Sequence, residues 1–432
     1  MIGATLFVIF IALMLAGAPI GVALGIGGMV AIVLSNLDVQ AYGLMAAPQN
    51  LFASLTKYPL LALPMFVLVG SIFDRSGVAQ RLVNFAVAII GRGPGMLPVV
   101  AIAVAMFLGG ISGSGPANAA AVGGVMIAAM ARAGYPPAFS ASVIGAAAAT
   151  DILIPPSIAL IVYSIMVSGA SVPALFAAGM VPGILAGLAL IIPAVWLSRR
   201  HGLGAAEANE PRPQFWRSLR EAAWGLFAPF LILGGMRAGW FTPTEAAVVA
   251  VVYGLFVGMV VHRTIKFGDL YEIFREAAET SGVILIVVGL ASIFAYAVST
   301  LGIIDPVAKA IINSGLGSTG VLLCVVVLLL VVGMFLDGVS IFLIFVPLLT
   351  PVMLAFEWDV VWFGVVLTLM VAIGQFTPPM AVNLMVACRM ANVRMEHTLP
   401  WVLWFVVAML VAALAVVFFP ELALWLPRYL GY

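Results

Sequence analysis

Two glycine-rich stretches and two proline pairs hold most of the chemistry this sequence can offer. The first stretch, Gly110–Asn118 (GISGSGPAN), sets Ser112, Ser114 and Asn118 among residues that interrupt a helix. The first proline pair, Pro155-Pro156, follows Thr150 and Asp151 and precedes Ser157. Glycine weakens a helix, and proline lacks the N–H and restricts the residue before it. Both segments lie in apolar surroundings, because Arg132 and Asp151 are the only charged residues between Gly93 and Ser198. Broken backbone at membrane depth survives only where it is buried in protein or lines a polar cavity. Freed carbonyls, hydroxyls and carboxylates there are hard oxygen ligands, suited to a cation such as Na+.

The second half repeats the pattern. Gly333–Ser340 contains Asp337, and Gly374–Pro379 contains Thr377 and Pro378. An acid inside a membrane segment is expensive and usually functional. Asp337 and Asp151 are therefore candidate ion ligands, and capping of helix ends beside polar cavities is the alternative. For Ser112, Ser114, Asn118, Thr150 and Ser340, ligation competes with interhelical hydrogen bonding. Pro155, Pro378 and Gly374 would contribute backbone oxygens at the breaks, or merely end helices. Ser157 and Arg389 are the candidates for substrate contact, although Arg389 could instead snorkel to the interface.

The elements that must position these groups follow from composition. The chain has 432 residues, of which 64% are hydrophobic and 8% charged. A soluble domain carries about 25% charged residues, so this surface must face lipid. A spanning helix needs roughly 20 apolar residues, and the apolar stretches supply about 10 to 14 membrane segments. Val321–Phe335 and Trp401–Phe419 are apolar on every face, which excludes the period-two alternation of a β-barrel. Thr5–Leu34 reads as a first helix, retained rather than cleaved, with a break at Gly17–Pro19.

Several functions fall away. A net charge of +1 offers no field for nucleic acid. Cys324 and Cys388 are isolated thiols, and His201, His262 and His397 sit in or beside polar segments, so no intramembrane haem pair exists. No P-loop or zinc-protease motif is present. A proton-pumping or enzymatic relay would need ionisable groups within helices, yet Lys57, Lys266 and Lys309 all avoid the middle of long apolar runs. No enzyme activity is expected, and no transition metal or cofactor beyond the coupling ion.

Arg199–Glu221 is the one stretch with aqueous character, rich in arginine and containing Pro211 and Pro213. The positive-inside rule places it in the cytoplasm. It divides the chain into a first repeat at 1–198, a basic loop at 199–223 and a second repeat at 224–432. The offset between Pro155 and Pro378 is 223 residues, and the same offset lays Gly110 on Gly333 and Gly115 on Gly338. Gly70–Phe73 resembles Ala291–Phe294 at an offset of 221, and Pro19–Leu24 resembles Pro243–Val248 at 224. Repeats in a membrane chain point to a transporter with its site at the repeat interface. Spacing leaves open whether they are parallel or inverted; an odd number of crossings between matched points would make them inverted.

Phe241–Ala247 (FTPTEAA), Gly134–Phe139 (GYPPAF), Ile154–Ile158 (IPPSI), the Ser112–Ser114 break and Thr377–Pro379 together resemble the large membrane subunit of tripartite ATP-independent periplasmic (TRAP) transporters. The resemblance spans essentially the whole chain. It implies an all-α polytopic fold with two re-entrant helical hairpins, two related and expectedly inverted repeats, and an elevator mechanism. It implies a small four-helix membrane subunit and a periplasmic substrate-binding protein as partners. It implies Na+-driven uptake of a carboxylate across the bacterial inner membrane. Carried over by position, the ion and substrate region is Ser112, Ser114, Asn118, Thr150 to Pro155, Asp337, Ser340 and Gly374 to Pro378. One departure stands out: the family pattern has a Gly-like residue where this chain has Asp151, which could alter ion stoichiometry or substrate. A stand-alone organic-anion carrier is the alternative.

Overall fold

A computed structural model describes residues 2–35, 40–209, 211–302, 306, 309–311, 315–336 and 338–432. Asp337 lies outside the described residues. The described residues are helical or irregular, with no strand among them.

In chain order the helices are α1 (Ile2–Leu15), α2 (Ile20–Ser35), α3 (Gln40–Leu55), α4 (Ala62–Arg75), α5 (Val78–Ile90), α6 (Met96–Ser112), α7 (Gly115–Arg132), α8 (Pro137–Ala148), α9 (Ile158–Met166) and α10 (Val172–Arg200). They continue with α11 (Phe215–Arg237), α12 (Pro243–Phe256), α13 (Leu270–Thr300), α14 (Gly317–Gly333), α15 (Gly338–Ala355), α16 (Val360–Gly374), α17 (Val382–Ala391), α18 (Leu399–Phe418) and α19 (Glu421–Leu430). Local sequence sets several starts. The FTPTEAA string is a capping box: Thr242 Oγ1 accepts from the Glu245 N–H at 3.3 Å, and Glu245 Oε2 accepts from the Thr242 N–H at 2.8 Å. Pro243 then occupies the first turn, where its missing N–H does no harm.

Six described helical segments are long and apolar enough to cross a membrane, among them Tyr58–Arg75, Val172–Arg200 and Phe267–Thr300. Eight further apolar helices are shorter, at 10–17 residues. Glycine and proline breaks divide much of the remaining apolar length into these shorter helices. The chain is a multi-pass, all-helical membrane protein.

Two local expectations change. The segment from Thr5 to Leu34 is two helices folded back on each other at Gly17, with Gly27 of α2 against Leu6 and Phe10 of α1. Gly17 adopts φ +85°, which an L side chain rarely tolerates, so the break is a reversal and not a kink. Helix α11 begins at Phe215, so Arg217, Arg220 and Glu221 stand on a helix.

The aqueous linker is also anchored. Glu207 is buried, and Tyr135 donates a hydrogen bond to its Oε1. Its Oε2 accepts from the Gly93 N–H at 3.4 Å and the Leu97 N–H at 3.2 Å, while the Gly95 N–H donates to the Tyr135 hydroxyl at 2.8 Å. Burial pushes the Glu207 carboxyl above its ordinary range, against the hydrogen bonds from Tyr135, Gly93 and Leu97 that pull it down.

In lipid, helices associate through close packing and small residues rather than through the hydrophobic effect. Helix α2 packs on α13, where Gly28 meets the backbone of Phe294. Helix α12 packs on α4, where Gly254 meets the ring of Phe73. Helices α8 and α16 are buried on nearly all faces. Small residues make this possible in α8, where Gly145 lets the Leu384 backbone of α17 approach.

Candidate functional site

The α6–α7 break is built by Gly113, whose φ of +62° ends α6, and by extended Ser114, which precedes Gly115 and Pro116 of α7. The tip between α8 and α9 closes onto it. A Cβ on Gly113 would come within 2.7 Å of the Pro156 carbonyl oxygen, and one on Gly110 within 3.3 Å of the Pro155 oxygen. Only glycine admits backbone this close. The same tip carries Asp151, fully buried against Gly109, where Ser112 Oγ donates to its Oδ2 at 3.2 Å. Asp151 Oδ1 is buried without a hydrogen-bond partner.

The second break and tip have a related arrangement. A Cβ on Gly333 would stand 3.3 Å from the Cα of Gly374, so α14 and α16 touch backbone to backbone. The Met380 N–H donates to the Met334 carbonyl at 3.1 Å, tying the second tip to the second break. Thr377 Oγ1 donates to the Ile373 carbonyl at 2.6 Å within its own turn. Gly374 lies 223 residues after Asp151.

A cavity of about 210 Å³ joins all four segments. Gly113, Ser114 and Pro116 contribute from the first break, Ile152 and Ile158 from the first tip, and Gly338 and Gln375 from the second half. Ile284 of α13 closes one wall. Gly115 begins α7, Ile158 begins α9, Gly338 begins α15 and Val382 begins α17, and each lines the cavity. Four helix N-termini thus meet here, each presenting the positive end of its dipole; Ser157 caps the Leu160 N–H of α9, and the Gln375 carbonyl takes the Asn383 N–H of α17. No charged side chain is among the described lining residues.

The remaining candidates divide by position. Asn118 is buried: Nδ2 donates to the Ala105 carbonyl at 2.8 Å, and Oδ1 has no partner. Ser340 is buried in α15. Thr150 spends its hydroxyl on the Ala147 carbonyl at 2.8 Å. Ser157 caps α9 by accepting from the Leu160 N–H at 3.3 Å, and it donates to the Ile152 carbonyl. Its hydroxyl shapes the tip. Pro155 and Pro378 sit in the two tips, and both Pro-Pro bonds are cis. Arg389 is outside this cluster, exposed near the C-terminal end of α17 with its guanidinium toward Met385.

Two amides also meet beside the cavity: Gln375, inside the Gly374 to Pro378 stretch that the resemblance indicated, and Asn383, which lies outside every expected stretch. Gln375 lies against both breaks, its Oε1 2.9 Å from where a Cβ on Gly115 would be and its Nε2 3.1 Å from one on Gly338. Asn383 holds it, with Nδ2 donating to Gln375 Oε1 at 3.2 Å and its own Oδ1 buried and unpaired. The signal was an amide pair, eight residues apart, flanking Thr377-Pro378-Pro379 in an apolar region.

A family model described as "Tripartite ATP-independent periplasmic transporter, DctM component" matches residues 7–422. The chain belongs to this family. A TRAP large permease subunit is a transport component, not an enzyme class. The chain is 35% identical over 420 residues to the isethionate TRAP transporter permease protein DctMQ of Oleidesulfovibrio alaskensis. That match covers 97% of the chain but 65% of the relative, so this chain spans just under two thirds of that protein's length. It is 35% identical to the C4-dicarboxylate TRAP transporter large permease protein DctM of Pseudomonas aeruginosa, covering 94% of each. Among solved structures, the YdaH transporter of Alcanivorax borkumensis shares the fold, with a TM-score of 0.57 and 14% identity over 89% of this chain and 91% of that one.

Proposed function

We propose that this DctM-family chain is the translocating subunit of a Na+-coupled importer in the bacterial inner membrane. A periplasmic substrate-binding protein delivers an organic acid, and a small four-helix membrane subunit completes the assembly. The observation that carries the reading is the cavity where four helix N-termini meet. The positive ends of four helix dipoles favour an anion without a cationic side chain. Isethionate and C4-dicarboxylates, named for the relatives, are both small organic anions.

The ion sites flank the cavity. The first uses Ser112, Ser114, Asp151 and the carbonyls near Pro155, with Asn118 Oδ1 in reserve. The second uses Asp337, Ser340, Gly374, Thr377 and Pro378. Unpaired Oδ1 atoms on Asp151 and Asn118 support the first set. Buried oxygen atoms with no donor are what a bound cation would satisfy.

The chain divides into repeats at 1–198 and 224–432 around a basic linker at 199–223. Two packings support this reading: α2 on α13 and α12 on α4 involve matched segments with the halves exchanged. Helices α6 to α9 and α14 to α17 would then form a moving core with two re-entrant hairpins. The α2, α4, α12 and α13 group would form the fixed scaffold of an elevator. Reconstitution with and without candidate partners, scored by uptake of labelled small acids, tests the reading. Uptake that requires a binding protein supports it; equal uptake by the chain alone would establish the stand-alone carrier instead.

A further inference from the structure

A second cavity, of about 840 Å³, lies away from the transport site between α5, α11 and the end of α12. Arg81, Arg217 and Arg220 line it, with Trp224 and His262 and a single carboxylate, Glu221. Glu221 is committed to Arg217 at 3.0 Å. Arg81 is oriented by donating to the Gly77 carbonyl at 2.8 Å. Arg220 is exposed and makes no ion pair among the described residues. Among the described lining residues the positive charges outnumber the one carboxylate.

Its surroundings identify the ligand's other end. Helix α5 buries Val78, Leu82 and Val83 and turns Gln80 and Asn84 to the cavity. Trp224 and Phe227 of α11, Phe256 of α12 and Val260 in the turn that follows α12 are all exposed apolar side chains. Trp224 packs edge-on against Phe256 at 5.9 Å between centroids. A guanidinium cluster beside an aromatic residue and exposed apolar side chains matches a molecule with an anionic head and apolar tails. Arg263 and Lys266 lie just beyond His262, at a basic end that the positive-inside rule turns toward the anionic cytoplasmic leaflet.

We propose that this cavity binds the phosphodiester head group of an anionic phospholipid, with the acyl chains along Phe227, Phe256 and Val260. Arg81 and Arg220 hold the phosphate, and Trp224 sits at the head-group level. Helices α5 and α11 pack directly here, with Phe85 on Phe215 at 5.9 Å, so the lipid would lie beside a contact the protein already makes.

The test is native mass spectrometry and lipid-dependent melting of the purified full chain. Its arms are phosphatidylglycerol, phosphatidylcholine with the same acyl chains, and inorganic phosphate, applied to the wild type, Arg220→Gln and Arg81→Gln/Arg220→Gln. Each arginine near a charged head group is worth about 1 kcal/mol, so each substitution should weaken phosphatidylglycerol binding about fivefold and leave phosphatidylcholine unchanged. Equal binding of the two lipids by the wild type, or an undiminished phosphatidylglycerol preference in the variants, overturns the proposal. Displacement of the lipid by millimolar inorganic phosphate would assign the site to a soluble anion and overturn it as well. If the double variant does not fold, exposed Arg220→Gln alone decides.

Discussion

Ser112 Oγ donates to Asp151 Oδ2 at 3.2 Å, joining the α6–α7 break to the tip between α8 and α9. The pair is buried, and the other carboxylate oxygen has no donor. Gly374, 223 residues later, meets Gly333 through backbone alone.

Asp151→Asn should therefore weaken Na+ activation of uptake. A hydrogen-bonded charged group is worth about 1.5–3 kcal/mol, which corresponds to roughly a 10- to 100-fold rise in the Na+ concentration for half-maximal rate. The measurement is initial uptake against Na+ concentration, with membrane insertion checked by fluorescence size-exclusion. An unchanged Na+ curve would leave Asp151 a purely structural acid.

Gly374→Ala should abolish transport and lower stability. A methyl there collides with the Gly333 carbonyl, a backbone atom that cannot turn aside. Overpacking costs about 1–3 kcal/mol. Gly234→Ala, where nothing lies within 4 Å, is the control and should change stability by less than about 0.5 kcal/mol. Melting temperatures of the two variants in detergent separate them.

Gln375→Glu should raise the KM for an anionic solute much more than it lowers insertion. Gln375 lines the cavity and borders both breaks. A carboxylate there opposes the four N-termini that favour an anion. A KM like that of the wild type would mean the solute binds elsewhere.

Glu207 supplies a pH test. Its folded carboxyl titrates above the ordinary value because burial outweighs its hydrogen bonds. The folded state therefore holds its proton to higher pH than the unfolded state does. Stability from this group is full below the unfolded value and is lost as pH rises through the folded one. Comparing wild type with Glu207→Ala, the melting-temperature difference should move in favour of the wild type on acidification across that window. A pH-independent difference would contradict the assignment.

The sequence made the breaks legible because glycine and proline leave few backbone options. Gly113 and the two proline pairs fall where helices end. The FTPTEAA string likewise encodes a capping box that the structure forms. Gln375 fell within the expected Gly374 to Pro378 stretch, but Asn383 was not legible, because a lone amide in an apolar run looks like ordinary interhelical hydrogen bonding until its neighbours are known. Glu207 was hidden for the opposite reason: in an arginine-rich linker an acid looks solvated, and only folding brings Tyr135 and the start of α6 around it. Arg389 carried the right charge for an acid substrate but stands at the far end of α17 from the cavity.

The central claim is that Na+ moving through the two breaks drives uptake. The direct measurement is accumulation of a labelled small acid in proteoliposomes holding the full assembly, with an inward Na+ gradient, with equal Na+, and with K+ in place of Na+. The account predicts accumulation only under the inward Na+ gradient, and none with Asp337→Ala inserted at wild-type level. Equal accumulation in K+, or an unimpaired Asp337→Ala protein at several Na+ concentrations, would contradict it.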